Sequence, residues 1–325
     1  MKGNVLKKFL CTCLVTAAAF AATTISASAC TTIYVGGDLV EEGTPFVART
    51  EDYGSDYNKL WFISESGKWK QGDHYVGCPE YGPFEWDFTH DSYRFTYFTN
   101  DIYYDGICPE CGEKADHYSY TEFGTNEKGV SVSATETLYG NEKVTEADPY
   151  RDAEWAEANK SERIGIEETD IPTIILAEAS SAREGVKLLL DIYENYGCVA
   201  ASGVFVCDKD EVWYVENCSG TQYVAIKLNN NMIFLEPNMA VIGRIDLDDE
   251  NVIASKDLIA VAKKAGTFVG DEAKNIIDFR ASYARISEKM DQRMIDGLNY
   301  LNATYKYDSD ALVADNTKFT ISNLD

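Results

Sequence analysis

The chain has 325 residues, 26% of them charged, and a formal net charge of −25 at pH 7. That excess of carboxylates opposes binding to nucleic acid or to an anionic membrane surface. The length suffices for one large domain or two small ones, each with its own core.

Residues 1–29 do not read as part of a fold. Lys2, Lys7 and Lys8 open the chain, Phe9 to Ala22 is apolar and uncharged, and Ala27-Ser28-Ala29 is a small-residue cleavage site. These are the parts of a secretory signal, and the apolar run is shorter than the ~20 residues of a membrane-spanning helix. The expectation is export to the medium or cell envelope, leaving residues 30–325 as one domain with no integral membrane segment.

In that domain, Thr31 to Val35 and Phe46 to Arg49 read as the two strands of a hairpin, broken by Gly36-Gly37 and Glu41-Glu42-Gly43. Residues 53–120 are aromatic-rich and irregular, predicting short strands and long loops. Val130 to Ala134 alternates as a strand. Ser181 and Glu184 frame a capping box, and Val186, Leu189, Leu190 and Tyr193 share one helical face that Gly197 ends. Val204-Phe205-Val206, Val212 to Val215 and Tyr223 to Ile226 are meander strands. Ile253 to Ala265 and Glu272 to Met290 read as helices. Antiparallel strands with separate helices predict an α+β fold. Abundant Tyr and Trp are sheet and core residues in such a chain.

Of nine cysteines, Cys11 and Cys13 leave with the leader and seven remain, an odd number that predicts one free thiol. Cys30 is the candidate. As the first residue of a processed chain it carries a thiol and an α-amine on one carbon. An α-amine of pKa ~7.7–8.0 is partly neutral at pH 7 and can take the thiol proton, so nucleophile and base are one residue. No histidine is required, and the chain has only His74, His90 and His117. Two other fates compete. One is lipidation, which favours Leu three places before the cysteine, where this chain has Ala27. The other is a disulfide.

Cys30-Thr31-Thr32, followed by Arg49-Thr50-Glu51-Asp52-Tyr53-Gly54, resembles the start of the dipeptidase A family of N-terminal-nucleophile cysteine peptidases. These are related to penicillin V acylases and bile salt hydrolases. Asn126 to Val130, Ser133 to Thr137, Ile171 to Leu176, Ala182 to Val186, Glu211 to Glu216 and Asp278 to Tyr283 extend the resemblance over residues 30–290. It implies a four-layer αββα sandwich, and hydrolysis of dipeptides or short peptides without a cofactor. Cys30 matches the nucleophile, Arg49 an arginine that stabilises its thiolate, and Asp52 a carboxylate that orients the α-amine. Asn238 matches loosely an asparagine that donates to the oxyanion, and Thr135 and Glu136 lie on a strand expected to pass the substrate. Many family members continue past the point where this chain ends. An arginine from a missing C-terminal part would need a stand-in, with Arg280 and Arg285 as candidates.

Acylases of bile salts or penicillins would share this catalytic core. A non-catalytic surface lipoprotein or binding module is the reading from another class. Cys78, Cys108, Cys111 and His117 form a local cluster that could hold zinc or a disulfide. It reads as a loop staple and not as the catalytic centre.

Overall fold

The computed structural model describes residues 30–51, 59–77, 84–100, 121–136, 138–286, 291–301 and 321–322. In chain order the strands begin with β1 (Thr31–Val35), β2 (Phe46–Thr50), β3 (Lys59–Ser64), β4 (His74–Val76), β5 (Glu85–Asp87), β6 (Phe95–Asn100), β7 (Phe123–Asn126) and β8 (Ser131–Glu136). Four helices follow: α1 (Glu142–Ala147), α2 (Ala153–Asn159), α3 (Ile171–Glu178) and α4 (Ala182–Asn195). Then come β9 (Ser202–Cys207), β10 (Val212–Asn217), β11 (Tyr223–Lys227), β12 (Met232–Glu236), β13 (Arg244–Asp246) and β14 (Val252–Ala254). The remainder is α5 (Leu258–Ala265), β15 (Gly270–Asp271), β16 (Ile276–Asp278), α6 (Phe279–Tyr283), α7 (Gln292–Leu301) and β17 (Ile321–Ser322).

Two antiparallel sheets carry the fold. One has eight strands in the order β14-β11-β10-β9-β8-β7-β6-β3, and the other four in the order β17-β12-β1-β2. Side chains alternate across a strand, so each sheet presents two different faces. Phe205 and Tyr214 of the larger sheet meet Phe234 of β12 between the sheets, with ring centroids 4.9 Å apart for Tyr214 and Phe234. Val204, Val206, Trp213 and Val215 point the other way, into a buried cluster with Ile174, Ile175, Val186 and Leu189 of α3 and α4. On the far side, Leu235 of β12 packs beneath Gly297 of α7. The layers therefore run helix, sheet, sheet, helix, as the resemblance implies for this α+β chain.

The hairpin of β1 and β2 pairs as expected, with Thr32 opposite Arg49 and Tyr34 opposite Val47. Helix α4 begins at the predicted cap: Ser181 Oγ accepts from the Glu184 N–H at 3.2 Å, and Gly197 follows its end with φ of +77°. The Glu184 carboxylate accepts from the Ser180 N–H at 3.0 Å, a variant of the expected reciprocal box. Val186, Leu189, Leu190 and Tyr193 are all buried, each side chain worth ~1.5–3 kcal/mol relative to exposure.

Two predicted helices differ. Residues 252–254 form β14, and helix starts only at Leu258. The segment from Glu272 is not one helix. A single 3₁₀ turn ends at Asn275, which has a left-handed φ of +53°. Ile276 and Ile277 then enter β16, pairing with β13 and β15. No described helix is long and apolar enough to cross a membrane.

Candidate active site

Cys30 directly precedes β1, which lies between β12 and β2, so its main chain is fixed by neighbours on both sides. It is buried, with 3% of its surface exposed. Alternation along β2 sends Arg49 to the inner face. Its guanidinium crosses to the larger sheet, where Nη1 donates to the main-chain carbonyls of Ala134 and, at 3.2 Å, Glu122. Nη2 donates to Cys30 Sγ at 3.2 Å. Burial opposes the charge of this guanidinium, but the negative charge at Cys30, then at Glu168 and Glu51, outweighs it and raises the arginine's affinity for its proton. The planar cation is thus held by two carbonyls with one N–H turned onto the sulfur.

A second arginine reaches the same place from the opposite end of the described chain. Arg293 of α7 donates through Nη1 to the Cys30 carbonyl, to Thr31 Oγ1 at 3.0 Å and to Asn238 Oδ1 at 3.2 Å. Its Nη2 donates to the Pro237 carbonyl at 2.8 Å, and Asp291 takes Nε and Nη2 at 2.9 Å each. Asn238 itself stands just past β12 with a left-handed φ of +55°. With Oδ1 turned to the guanidinium, the donor end of its amide is turned away from it. The asparagine picked from the sequence thus joins the cysteine through an arginine that sequence reasoning missed. Arg280 sits instead in a buried layer, where burial first lowers its proton affinity while Glu216 and Asp278 act to raise it. Arg285 stacks on the Tyr139 ring, 4.1 Å from its centroid. Arg293 directly precedes Met294 and Ile295, which are buried residues of α7.

Of the other expected residues, Thr135 and Glu136 place their backbone in β8, opposite Gly203 and Ser202 of β9. Their side chains are not among those the structure describes. Asp52, Cys78, Cys108, Cys111 and His117 lie outside the described residues.

A cleft of about 740 Å³ lies between the sheets, with Arg49 among its lining residues. Val47, Phe98, Phe123 and Phe205 give it apolar walls, and Glu51, Lys59 and Glu122 a charged end. Lys59 Nζ donates to Glu122 Oε1 at 2.6 Å and pairs with Glu51. Burial, and then a hydrogen bond shared with Glu51, push the Glu122 carboxyl up to about 8. Burial acts to raise Glu51 as well, but the hydrogen bonds from Glu122 and Lys59 prevail and hold it below the usual carboxylate range. Glu51 falls within the Arg49 to Gly54 stretch that resembles the family but was given no role there, and Lys59 and Glu122 stood in no motif.

The model of peptidase family C69 matches residues 29–305. A probable dipeptidase B of Streptococcus pyogenes serotype M6 is 32% identical over 247 residues, which are 76% of this chain and 44% of that protein. A probable dipeptidase of Salmonella dublin is 32% identical over 262 residues, 79% of this chain and 53% of that protein. The chain thus spans about half the length of these curated relatives. Among solved structures, penicillin V acylase from Agrobacterium tumefaciens aligns with a TM-score of 0.35 at 15% identity, covering 64% of this chain and 49% of that one. A mutant conjugated bile acid hydrolase from Clostridium perfringens aligns with a TM-score of 0.30 at 12% identity, covering 74% and 59%. On the match of the family model over most of its length, this chain is a member of peptidase family C69.

Proposed function

We propose that this chain is an exported cysteine peptidase of dipeptides, with Cys30 as an N-terminal nucleophile freed by removal of residues 1–29. The observation that carries the reading is the Arg49 guanidinium, fixed by two main-chain carbonyls with Nη2 3.2 Å from Cys30 Sγ. In a buried site such a fixed cation acts on charge as it forms.

The reaction follows from these parts. The α-amine of Cys30 takes the thiol proton, and sulfur attacks the substrate's peptide carbonyl. The C–N bond breaks, the leaving amine takes the proton from the Cys30 ammonium, and a thioester remains. Water gives a proton to the same amine and attacks the thioester carbonyl. The acid leaves, and its sulfur recovers the proton. Arg49 supports sulfur in both thiolate states. Arg293 holds the Cys30 carbonyl and Asn238, fixing the backbone from which the amine projects.

Two measurements test this. Intact mass and N-terminal sequencing of the exported protein should show an unmodified Cys30 in first place. A longer N-terminus removes the base, and a lipid on Cys30 replaces the enzyme reading by a surface lipoprotein. Cys30→Ser should cut release of amino acids from a dipeptide mixture by a factor of 100 or more, and undiminished release refutes the assignment.

A further inference from the structure

A dipeptidase must hold the free α-ammonium of its substrate, and its nitrogen lies only about 2.5 Å from the carbonyl carbon under attack. The partner for that ammonium must therefore stand close to Cys30 Sγ. Arg49 stands beside both the sulfur and the backbone of Glu122. Its Nη2 touches Sγ while its Nη1 touches the Glu122 main-chain carbonyl. Glu51 lies two residues along from Arg49, so it continues the same face, about 6.6 Å further.

We propose that Glu51, Lys59 and Glu122 form the subsite for the substrate's free α-ammonium, which selects unblocked dipeptides with an apolar N-terminal side chain. The inference rests on the hydrolase reading above and names its substrate class. Three observations support it. The group sets two carboxylates against one lysine, with Arg49, held at Cys30 Sγ, as the further cation acting on Glu51, and a substrate ammonium adds donors for the two carboxylates. Burial pushes the Glu122 carboxyl up to about 8, and its proton passes to solvent as the ammonium binds. Ser133 lines the same cleft at 5% exposure, and its hydroxyl has no hydrogen-bond partner among the described residues. A buried hydroxyl in that state calls for a polar ligand atom, and the peptide group beside the ammonium provides one. Finally, Val47, Phe98, Phe123 and Phe205 line the space next to the charged end, in a cleft of about 740 Å³, within the usual range for small-molecule sites.

The test compares phenylalanyl-alanine with its N-acetyl form on the exported full-length protein, on Glu51→Gln and on Glu122→Gln. The wild type should favour the free dipeptide at least 100-fold in kcat/KM. Each variant should lose at least 10-fold on the free dipeptide, mostly through KM, with the acetylated peptide unchanged. Alkylation of Cys30 by iodoacetamide at the wild-type rate reports that the site is intact. Should one variant fail to fold, the other and the wild-type comparison still decide. Equal cleavage of both peptides by the wild type, or an undiminished preference in the folded variants, overturns the subsite and leaves the hydrolase standing. Cleavage of neither peptide removes the hydrolase reading and the subsite together.

Discussion

Arg49 and Arg293 both converge on Cys30, yet they hold different atoms of it. Arg49 touches sulfur, and Arg293 touches the carbonyl and the Asn238 amide. Their substitution should therefore separate two properties. Arg49→Lys replaces a planar fork by a point charge that cannot serve two carbonyls and a sulfur together. It should slow alkylation of Cys30 at pH 7 by at least 10-fold and depress turnover with it. Arg293→Met should depress kcat by at least 10-fold while alkylation stays within 2-fold of wild type. Equal effects of the two variants on alkylation would contradict this division. The contrast also shows what the sequence could disclose. Cys30, Arg49 and Asn238, which the structure brings together, stand at or near strand ends in an order the sequence displays. The places of Arg293, Glu51, Lys59 and Glu122 around them follow only once strands and a helix far apart in sequence meet.

The helix pair α3 and α4 covers the larger sheet at close range. A Cβ at Gly185 would stand 2.7 Å from Ile175 Cγ2 and 3.1 Å from Val206 Cγ1. Glycine there lets α4 approach both α3 and β9. Gly185→Val should destabilise the protein by ~1–3 kcal/mol through overpacking, seen as a lower denaturant midpoint at unchanged slope. An unchanged midpoint would mean that the layers have slack. This helix was readable because its period, cap and terminator agree with one another. The segment from Glu272 to Met290 was misread for the opposite reason. Its local pattern allowed helix, but pairing of Ile276 to Asp278 with β13 and β15 took precedence. Strand pairing across the chain leaves no mark in local periodicity.

Across the whole molecule, several carboxyls are largely removed from water. Glu216 is pushed up to about 8 by burial, although it accepts from Tyr214 Oη and the Val241 and Ile242 N–H groups. Asp170, which accepts from Tyr75 Oη at 2.6 Å, is also raised to about 8 by burial, and Glu122 to about 8. In the unfolded chain these groups ionise near pH ~4. Their protons are thus held more tightly in the folded state, so stability from them is complete below pH ~4 and is lost progressively as pH rises from there to about 8. Glu211 has the reverse sign. Its hydrogen bond with Arg183 is the largest cause lowering it to about 2, so its contribution is lost as pH falls through that region. Repulsion within a chain of net charge −25 adds to the alkaline loss. The melting temperature should therefore peak near pH ~5 and fall by ~2 °C or more by pH 9 at fixed ionic strength. A melting temperature that climbs steadily from pH 5 to 9 would refute the assignment.

The grip of Arg293 on the Cys30 carbonyl and Thr31 ties an early-made residue to one made near the end of the described chain. A ribosome delivers Cys30 some 260 residues before the side chain that immobilises it. Until α7 is made and docked, the Cys30 carbonyl lacks the arginine contact that holds it in the folded chain. A nascent chain that has not yet made α7 would on this account already carry the Arg49 contact to the sulfur, but not the grip on the carbonyl beside it.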